Sequence, residues 1–160
     1  MLDKLIKYFA YATKGHITKI QLIRFLYLAD LYSVKWTGKQ LTELNWYYYH
    51  LSPWHQDINT ALDKMNGKEI SIETEYNTVL IKLGEKAKTI DDLQLPLSLK
   101  LILDNIRREW AGTGQDKIKE LLDYVYTTAP MVEVKDKYKP EEKVKLNLQL
   151  EREKLVSELN

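Results

Sequence analysis

The sequence predicts a single, mainly α-helical domain with five to six helices and one small antiparallel β element. Its 160 residues are a length typical of one domain. In most segments, apolar residues recur three and four positions apart, which is the spacing of one helical face. Residues 69–74 and 78–83 instead alternate polar and apolar side chains around Tyr76 and Asn77, which predicts a β-hairpin.

The first two helices are predicted from their apolar spacing and from the residues at their ends. Residues 2–13 form the first, and its apolar face contains Leu2, Leu5, Ile6 and Phe9. Gly15 ends this helix, because glycine readily adopts the left-handed turn that follows one. Thr18 and Gln21 have the spacing of a capping box, which starts a second helix that Gly38 ends. This second helix is apolar on nearly all sides, so we expect neighbouring elements to cover it.

An aromatic segment follows the second helix. Residues 45–51 are rich in tryptophan and tyrosine, which favours a strand. In an extended segment alternate side chains face opposite ways, which separates two sets: Trp46, Tyr48 and His50, and Tyr47, Tyr49 and Leu51. Ser52 and Pro53 then predict the N-cap and first position of a third helix that reaches about Met65.

Two more helices are predicted downstream, from Ser98 to Trp110 and over residues 115–127. Between them, Gly112, Thr113 and Gly114 predict a helix–helix turn. A phosphate-binding glycine loop is not expected there, because such loops follow a strand. Residues 129–139 are predicted to be irregular.

The chain divides into a helical domain, residues 1–132, and a polar C-terminal extension, residues 133–160. Two patterns compete in the extension. Val144, Leu146, Leu148 and Leu150 alternate as in a strand, whereas another set fits a helix: Val144, Leu148, Leu155 and Leu159. The strong helix formers and the absence of glycine favour a helix that begins near Pro140.

Composition excludes several classes of function. The chain has no cysteine, which rules out disulfides, thiolate metal sites and cysteine nucleophiles, and is compatible with the cytoplasm. Its 24 basic and 23 acidic residues give a net charge of +1, which argues against strong non-specific binding to nucleic acid or anionic membranes. No stretch is apolar enough to span a membrane.

The ionisable residues do not predict an active site. Neither zinc-type spacing nor a nucleophile–base pattern occurs around His16, His50 or His55, so we expect no catalytic residue, no metal and no cofactor. Asp30 lies within the most apolar helix, where two interpretations stay open. It lies at an exposed edge near Arg24 or Lys35, or it makes a specific buried contact.

A winged-helix DNA-binding regulator is the alternative interpretation. The second and third helices followed by a hairpin have the order of a helix-turn-helix and wing. The third helix, however, would expose Asp57 and Asp63 beside a single lysine, Lys64. This charge pattern disfavours contact with a phosphate backbone, so nucleic acid is not the expected partner.

The aromatic residues between Trp46 and Trp54 are the most unusual feature of the chain. They are either core residues or, in part, anchors for a partner, since tyrosine and tryptophan dominate the energetics of protein interfaces.

Several motifs resemble the Panacea (SocA-like) antitoxin-associated family. The likeness is carried by residues 17–30, with the sequence ITKIQLIRFLYLAD, and by the turn Thr37-Gly38-Lys39 followed by Leu41. It continues in the aromatic segment that ends at Ser52-Pro53, where the family has Gly-Pro, and in residues 121–130. The resemblance covers about residues 1–132.

The resemblance implies a cytoplasmic, non-enzymatic protein that binds and neutralises a protein toxin encoded nearby. On this hypothesis the aromatic segment and the C-terminal helix form the partner-binding surface, and the C-terminal segment could also join two copies of the chain. The predicted partner-binding residues are Trp46, Tyr47, Tyr48, Tyr49, His50, Trp54, His55, Leu148 and Leu155.

Overall fold

The computed structural model describes residues 1–112 and 114–160. Within these residues it has seven α-helices, a short 3-10 helix at Asp91–Leu93 and six strands in two antiparallel sheets. The helices are α1 (Leu2–Ala12), α2 (Lys19–Thr37), α3 (Gln56–Met65), α4 (Leu97–Trp110), α5 (Gln115–Thr127), α6 (Ala129–Val134) and α7 (Gln149–Leu159). The strands are β1 (Ile17–Thr18), β2 (Tyr47–Tyr49), β3 (Ser52–Trp54), β4 (Ile70–Glu75), β5 (Thr78–Leu83) and β6 (Val144–Lys145).

Helix α2 lies at the centre of the fold, as its apolar composition predicts. It packs against α1, α4, α5 and α7, and Phe25 to Leu28 have no exposed surface. The predicted capping box is present: Gln21 N donates to Thr18 Oγ1 at 3.1 Å, and Thr18 N donates to Gln21 Oε1 at 3.0 Å. Gly38 ends the helix in the left-handed conformation. The prediction of a covered central helix is confirmed.

The first sheet has the strand order β1-β5-β4 and contains the predicted hairpin. Tyr76 and Asn77 form its turn with φ angles of 48° and 68°, and the strands pair from Glu75 opposite Thr78 to Ile70 opposite Leu83. Positive φ at both turn positions matches the twist of the two strands. The hairpin prediction is therefore confirmed.

The second sheet has the order β3-β2-β6 and corrects two predictions. Ser52 and Pro53 do not start a helix: they belong to β3, with Pro53 opposite Tyr48. Proline is tolerated there because β3 is an edge strand. Helix α3 begins at Gln56 instead, where His55 Nδ1 accepts a hydrogen bond from Asp57 N at 3.0 Å.

The C-terminal segment agrees with its prediction in part: it is helical over Gln149–Leu159, but the helix does not begin near Pro140. Residues 129–139 are not wholly irregular, because Ala129–Val134 forms α6 with a proline in its first turn. Val144 lies in β6, opposite Tyr48, and Leu148 precedes α7, so these two residues do not share a helix face with Leu155 and Leu159. The alternating pattern is the correct one around Leu146, whose N donates to the Trp46 carbonyl at 2.8 Å.

The predicted class, a mainly α single domain with a small β component, agrees with the structure. The structure adds a second small sheet, the 3-10 helix at Asp91–Leu93 and helix α6. The predicted turn at residues 112–114 includes Thr113, which lies outside the described residues.

Candidate partner-binding surface

A buried carboxylate fixes the loop that leads from α2 to β2. Asp30 has no exposed surface, and its oxygens accept hydrogen bonds from Leu41 N (2.9 Å), Thr42 N (2.9 Å) and Trp46 Nε1 (2.8 Å). The Thr42 hydroxyl and Gln40 Nε2 also donate to it. Burial raises the pKa of Asp30, and the hydrogen bonds from Thr42 and Trp46 oppose that rise. Of the two interpretations left open by the sequence, the structure has the specific buried contact.

The carboxylate also determines which rings of the aromatic segment face the core. Trp46 and Tyr48 are each 1% exposed, and the Trp46 indole packs edge-on against Tyr27 with 5.6 Å between ring centroids. Burial raises the pKa of Tyr48, and the nearby carboxylate of Asp136 acts in the same direction. Trp46 and Tyr48 are therefore core residues here and are not available to a partner, contrary to their predicted role.

The remaining aromatic residues form a continuous group, the ring surface, which we define as Tyr47, Tyr49, His50, Trp54 and His55. Successive centroids are 6.0 Å apart for Tyr47 and His55, 6.3 Å for His55 and Trp54, 5.1 Å for Trp54 and Tyr49, and 4.0 Å for Tyr49 and His50. His50 is exposed and the other four are half-buried. Alternation along β2 and pairing with β3 place Tyr47, Tyr49 and Trp54 side by side. His50, which strand alternation predicted on the Tyr48 side, lies beside Tyr49 instead, because it follows β2 with a positive φ of 49°.

A lysine from the C-terminal segment borders the ring surface. Lys143 Nζ lies 5.0 Å from the Tyr49 centroid and 4.9 Å from the Trp54 centroid, within the range of cation–π contacts. His50 N donates to the Pro140 carbonyl at 2.7 Å, which ties the same segment to the hairpin tip. No sequence signal near residue 50 could have found Lys143, because it lies about ninety positions away in the chain.

The C-terminal residues predicted to bind a partner differ in accessibility. Leu148 is only 5% exposed and belongs to the core, so it is not an accessible contact. Leu155 is half-buried on α7, which packs against α2 and α6. Val156 and Leu159 are more exposed, at 47% and 75%. Within this segment Leu146 and Leu148 are buried in the core, whereas α7 has no buried residue.

The ionisable groups bear on two other kinds of function, metal binding and contact with nucleic acid. In the part of the chain that the structure describes, no three His, Cys, Asp or Glu side chains come together as a metal site. Among the described helices, none is long and apolar enough to cross a membrane. Helix α3 exposes Asp57, Asp63 and Lys64, the charge pattern expected from the sequence.

A family model described as antitoxin SocA-like, Panacea domain, matches residues 22–128, which is more than half of the chain. The chain belongs to this family. No curated protein and no solved structure matches it significantly.

The matched part of this Panacea protein begins within α2 and ends directly after α5. It contains all five residues of the ring surface. Helix α1, β6 and α7 lie outside it, although β6 completes the sheet of β2 and β3, and Lys143 contacts two of the rings. In this chain the ring surface therefore lies within the matched span, and a flanking segment contributes Lys143 beside it.

Proposed function

We propose that this protein is a cytoplasmic antitoxin that binds a protein toxin encoded by a neighbouring gene and neutralises it without catalysis. Membership of the SocA-like antitoxin family supports the role. The ring surface carries the proposal, because five adjacent, accessible rings are the kind of residues that anchor protein interfaces.

The proposed mechanism is occlusion of the toxin by a tight interface. The half-buried rings keep their orientation in the free chain, since β-strand pairing and ring–ring contacts hold them. Little side-chain freedom is then lost on binding, which favours affinity. Leu155, half-buried on α7, is proposed as a secondary contact.

The test is co-expression of the protein with the neighbouring gene product, followed by affinity capture and a growth-rescue assay. The wild-type chain is expected to form a complex and restore growth. The double variant Tyr49→Ala/Trp54→Ala should weaken toxin binding by about tenfold or more, because it removes two central rings. Absence of a complex with the wild-type chain would overturn the proposed function.

Tyr76→Ala is the matched control for this experiment. Tyr76 is fully exposed at the tip of the β4–β5 hairpin and does not belong to the ring surface. Its replacement removes an exposed ring from the other sheet and should change toxin affinity by no more than about twofold. An equal loss in the control and the ring-surface variant would show that the ring surface has no special role.

A further inference from the structure

Arg24 is a largely buried cation with no carboxylate partner among the residues that the structure describes. The residue lies on α2, is 7% exposed, and its Nε is shielded from solvent without a hydrogen-bond partner. Among the described residues, no carboxylate lies within 4.0 Å of its guanidinium, whereas Arg107 and Arg108 both pair with Asp104. Arg152 also has a partner, since its Nη1 donates to the Lys35 carbonyl at 3.0 Å.

A largely buried guanidinium whose Nε has no hydrogen-bond partner among the described residues is unfavourable in the free protein. Buried charges in proteins are normally paired, because the hydration lost on burial must be replaced by other polar contacts. Burial lowers the pKa of Arg24, but an arginine stays protonated in proteins and cannot escape the cost by losing its proton. The planar fork of donors on Arg24 therefore lacks the planar acceptor, a carboxylate, that it fits best.

Arg24 is connected through Tyr126 to the hairpin tip that borders the ring surface. Helix α2 packs against β3, and Tyr126 is the titratable neighbour of Arg24. The Tyr126 hydroxyl donates to the Leu51 carbonyl at 2.6 Å. Leu51 and His50 form the tip of the β2–β3 hairpin, with φ angles of 65° and 49°, and both are exposed. A partner that covers the rings would therefore also cover this tip.

We propose that Arg24 is the anchor for an Asp or Glu side chain of the protein toxin, bound beside the β2–β3 hairpin tip. The inference rests on the proposed function and adds the chemistry of the partner: apolar contacts on the rings and one carboxylate directed at the guanidinium. The carboxylate reaches Arg24 through the small part of the residue that stays exposed. Binding then supplies the counter-charge that the free chain lacks.

The decisive variant is Arg24→Met, which keeps the apolar length of the side chain and removes its charge. Because the free chain has no partner for this charge, the melting temperature of the isolated variant should be equal to or higher than that of the wild type. Its affinity for the purified toxin should fall by about tenfold or more, measured by calorimetry. Arg24→Lys, which keeps the charge but loses the fork, should show a smaller loss of affinity.

The matched control is Arg108→Met, which removes an exposed guanidinium on α4. We expect it to change toxin affinity by no more than about twofold. A set of single Asp→Asn and Glu→Gln variants of the toxin, combined with Arg24→Met, should identify one toxin carboxylate whose loss has little further effect in the Arg24→Met background.

The outcomes separate the two proposals. If the wild type binds the toxin and Arg24→Met binds equally well, the Arg24 proposal is wrong and the proposed function stands. If the wild type does not bind, the proposed function is wrong and this inference with it. If both Arg24 variants melt several degrees lower, Arg24 supports the free fold, and the anchor is likewise refuted.

A final comparison distinguishes a toxin side chain from a small anion. The isolated chain is melted in sodium sulfate and in sodium chloride at matched ionic strength. A difference in melting temperature between Arg24→Met and the wild type that is the same in both salts supports the proposal. Stabilisation by sulfate that Arg24→Met abolishes would assign the site to a free anion instead and overturn it.

Discussion

The indole Nε1 of Trp46 donates a hydrogen bond of 2.8 Å to Oδ2 of Asp30, a carboxylate with no exposed surface. This contact directs Trp46 into the core at the residue before β2. Because side chains alternate along a strand, Tyr47 and Tyr49 then point away from the side that Tyr48 buries. The orientation of the ring surface therefore depends on a residue of α2 that is not part of it.

Asp30→Asn is expected to destabilise the protein strongly. All five groups that contact the carboxylate are donors, so the new amide group would face donors in a buried site. We expect the free energy of unfolding to fall by about 3 kcal/mol, measured by urea denaturation. The control, Asp63→Asn, changes an exposed carboxylate on α3 and should have little effect. A stable Asp30→Asn variant would contradict the proposed importance of this network.

Leu148→Ala tests whether the C-terminal segment is part of the core. Leu148 is 5% exposed, and its truncation should lower the free energy of unfolding by about 3 kcal/mol because a cavity is left behind. Leu159→Ala is the control, since Leu159 is 75% exposed on the same segment and should change stability by less than about 0.5 kcal/mol. Equal melting temperatures for the two variants would show that the segment is not docked in solution.

Gly84→Ala tests the close approach of two backbone segments after β5. A Cβ at this position would clash with the Lys68 carbonyl and lie 2.7 Å from the Ile70 carbonyl oxygen, both of which are backbone atoms. The variant should lose about 2–3 kcal/mol of unfolding free energy, seen as a lower melting temperature. Gly114→Ala, where nothing lies within 4 Å of the new Cβ, should cost about 1 kcal/mol or less.

The ion pairs of Asp104 should make the free energy of unfolding depend on pH. Hydrogen bonds from Arg107, the larger effect, and Arg108 lower the pKa of the Asp104 carboxyl below its ordinary value of 3.8. The Asp104 carboxyl therefore binds a proton less tightly in the folded state than in the unfolded state. The stabilisation is present above pH 3.8 and is lost as the pH falls through the lower folded value.

The measurement compares wild type with Asp104→Asn by urea denaturation at neutral pH and at about pH 3. Because Asp104 is partly exposed, we expect a difference of less than about 1 kcal/mol at neutral pH, and a smaller one in acid. In an Arg107→Met/Arg108→Met background the difference should be small at both pH values. If the difference in unfolding free energy between wild type and Asp104→Asn were larger in acid, the pKa of Asp104 would not be lowered in the folded state.

Local patterns predicted much of the fold because their physical causes are local. The capping box of Thr18 and Gln21 and the β4–β5 turn at Tyr76 and Asn77 involve residues within a few positions of one another. Ser52 and Pro53 misled the prediction because the same pair that starts a helix also fits an edge strand. The choice depended on pairing with Tyr48 and Tyr49, which residue-by-residue preference does not include.

The candidate surface was predicted in part. Strand alternation separated Tyr48 from Tyr47 and Tyr49, and the structure confirms that separation. It could not determine which set is buried, because both sets are aromatic. The burial of the Trp46 and Tyr48 side depends on the hydrogen bond from Trp46 to Asp30, sixteen positions earlier in the chain, and on the packing of Trp46 against Tyr27.

By itself, the sequence determined the helical class, the central helix and the family, because periodicity, caps and family motifs are written in neighbouring residues. The tertiary structure decided which rings are accessible, that Lys143 borders them, and that Arg24 is buried with no carboxylate partner among the described residues. These features depend on contacts between residues far apart in the chain. Burial and charge pairing are properties of the folded neighbourhood, and no local pattern encodes them.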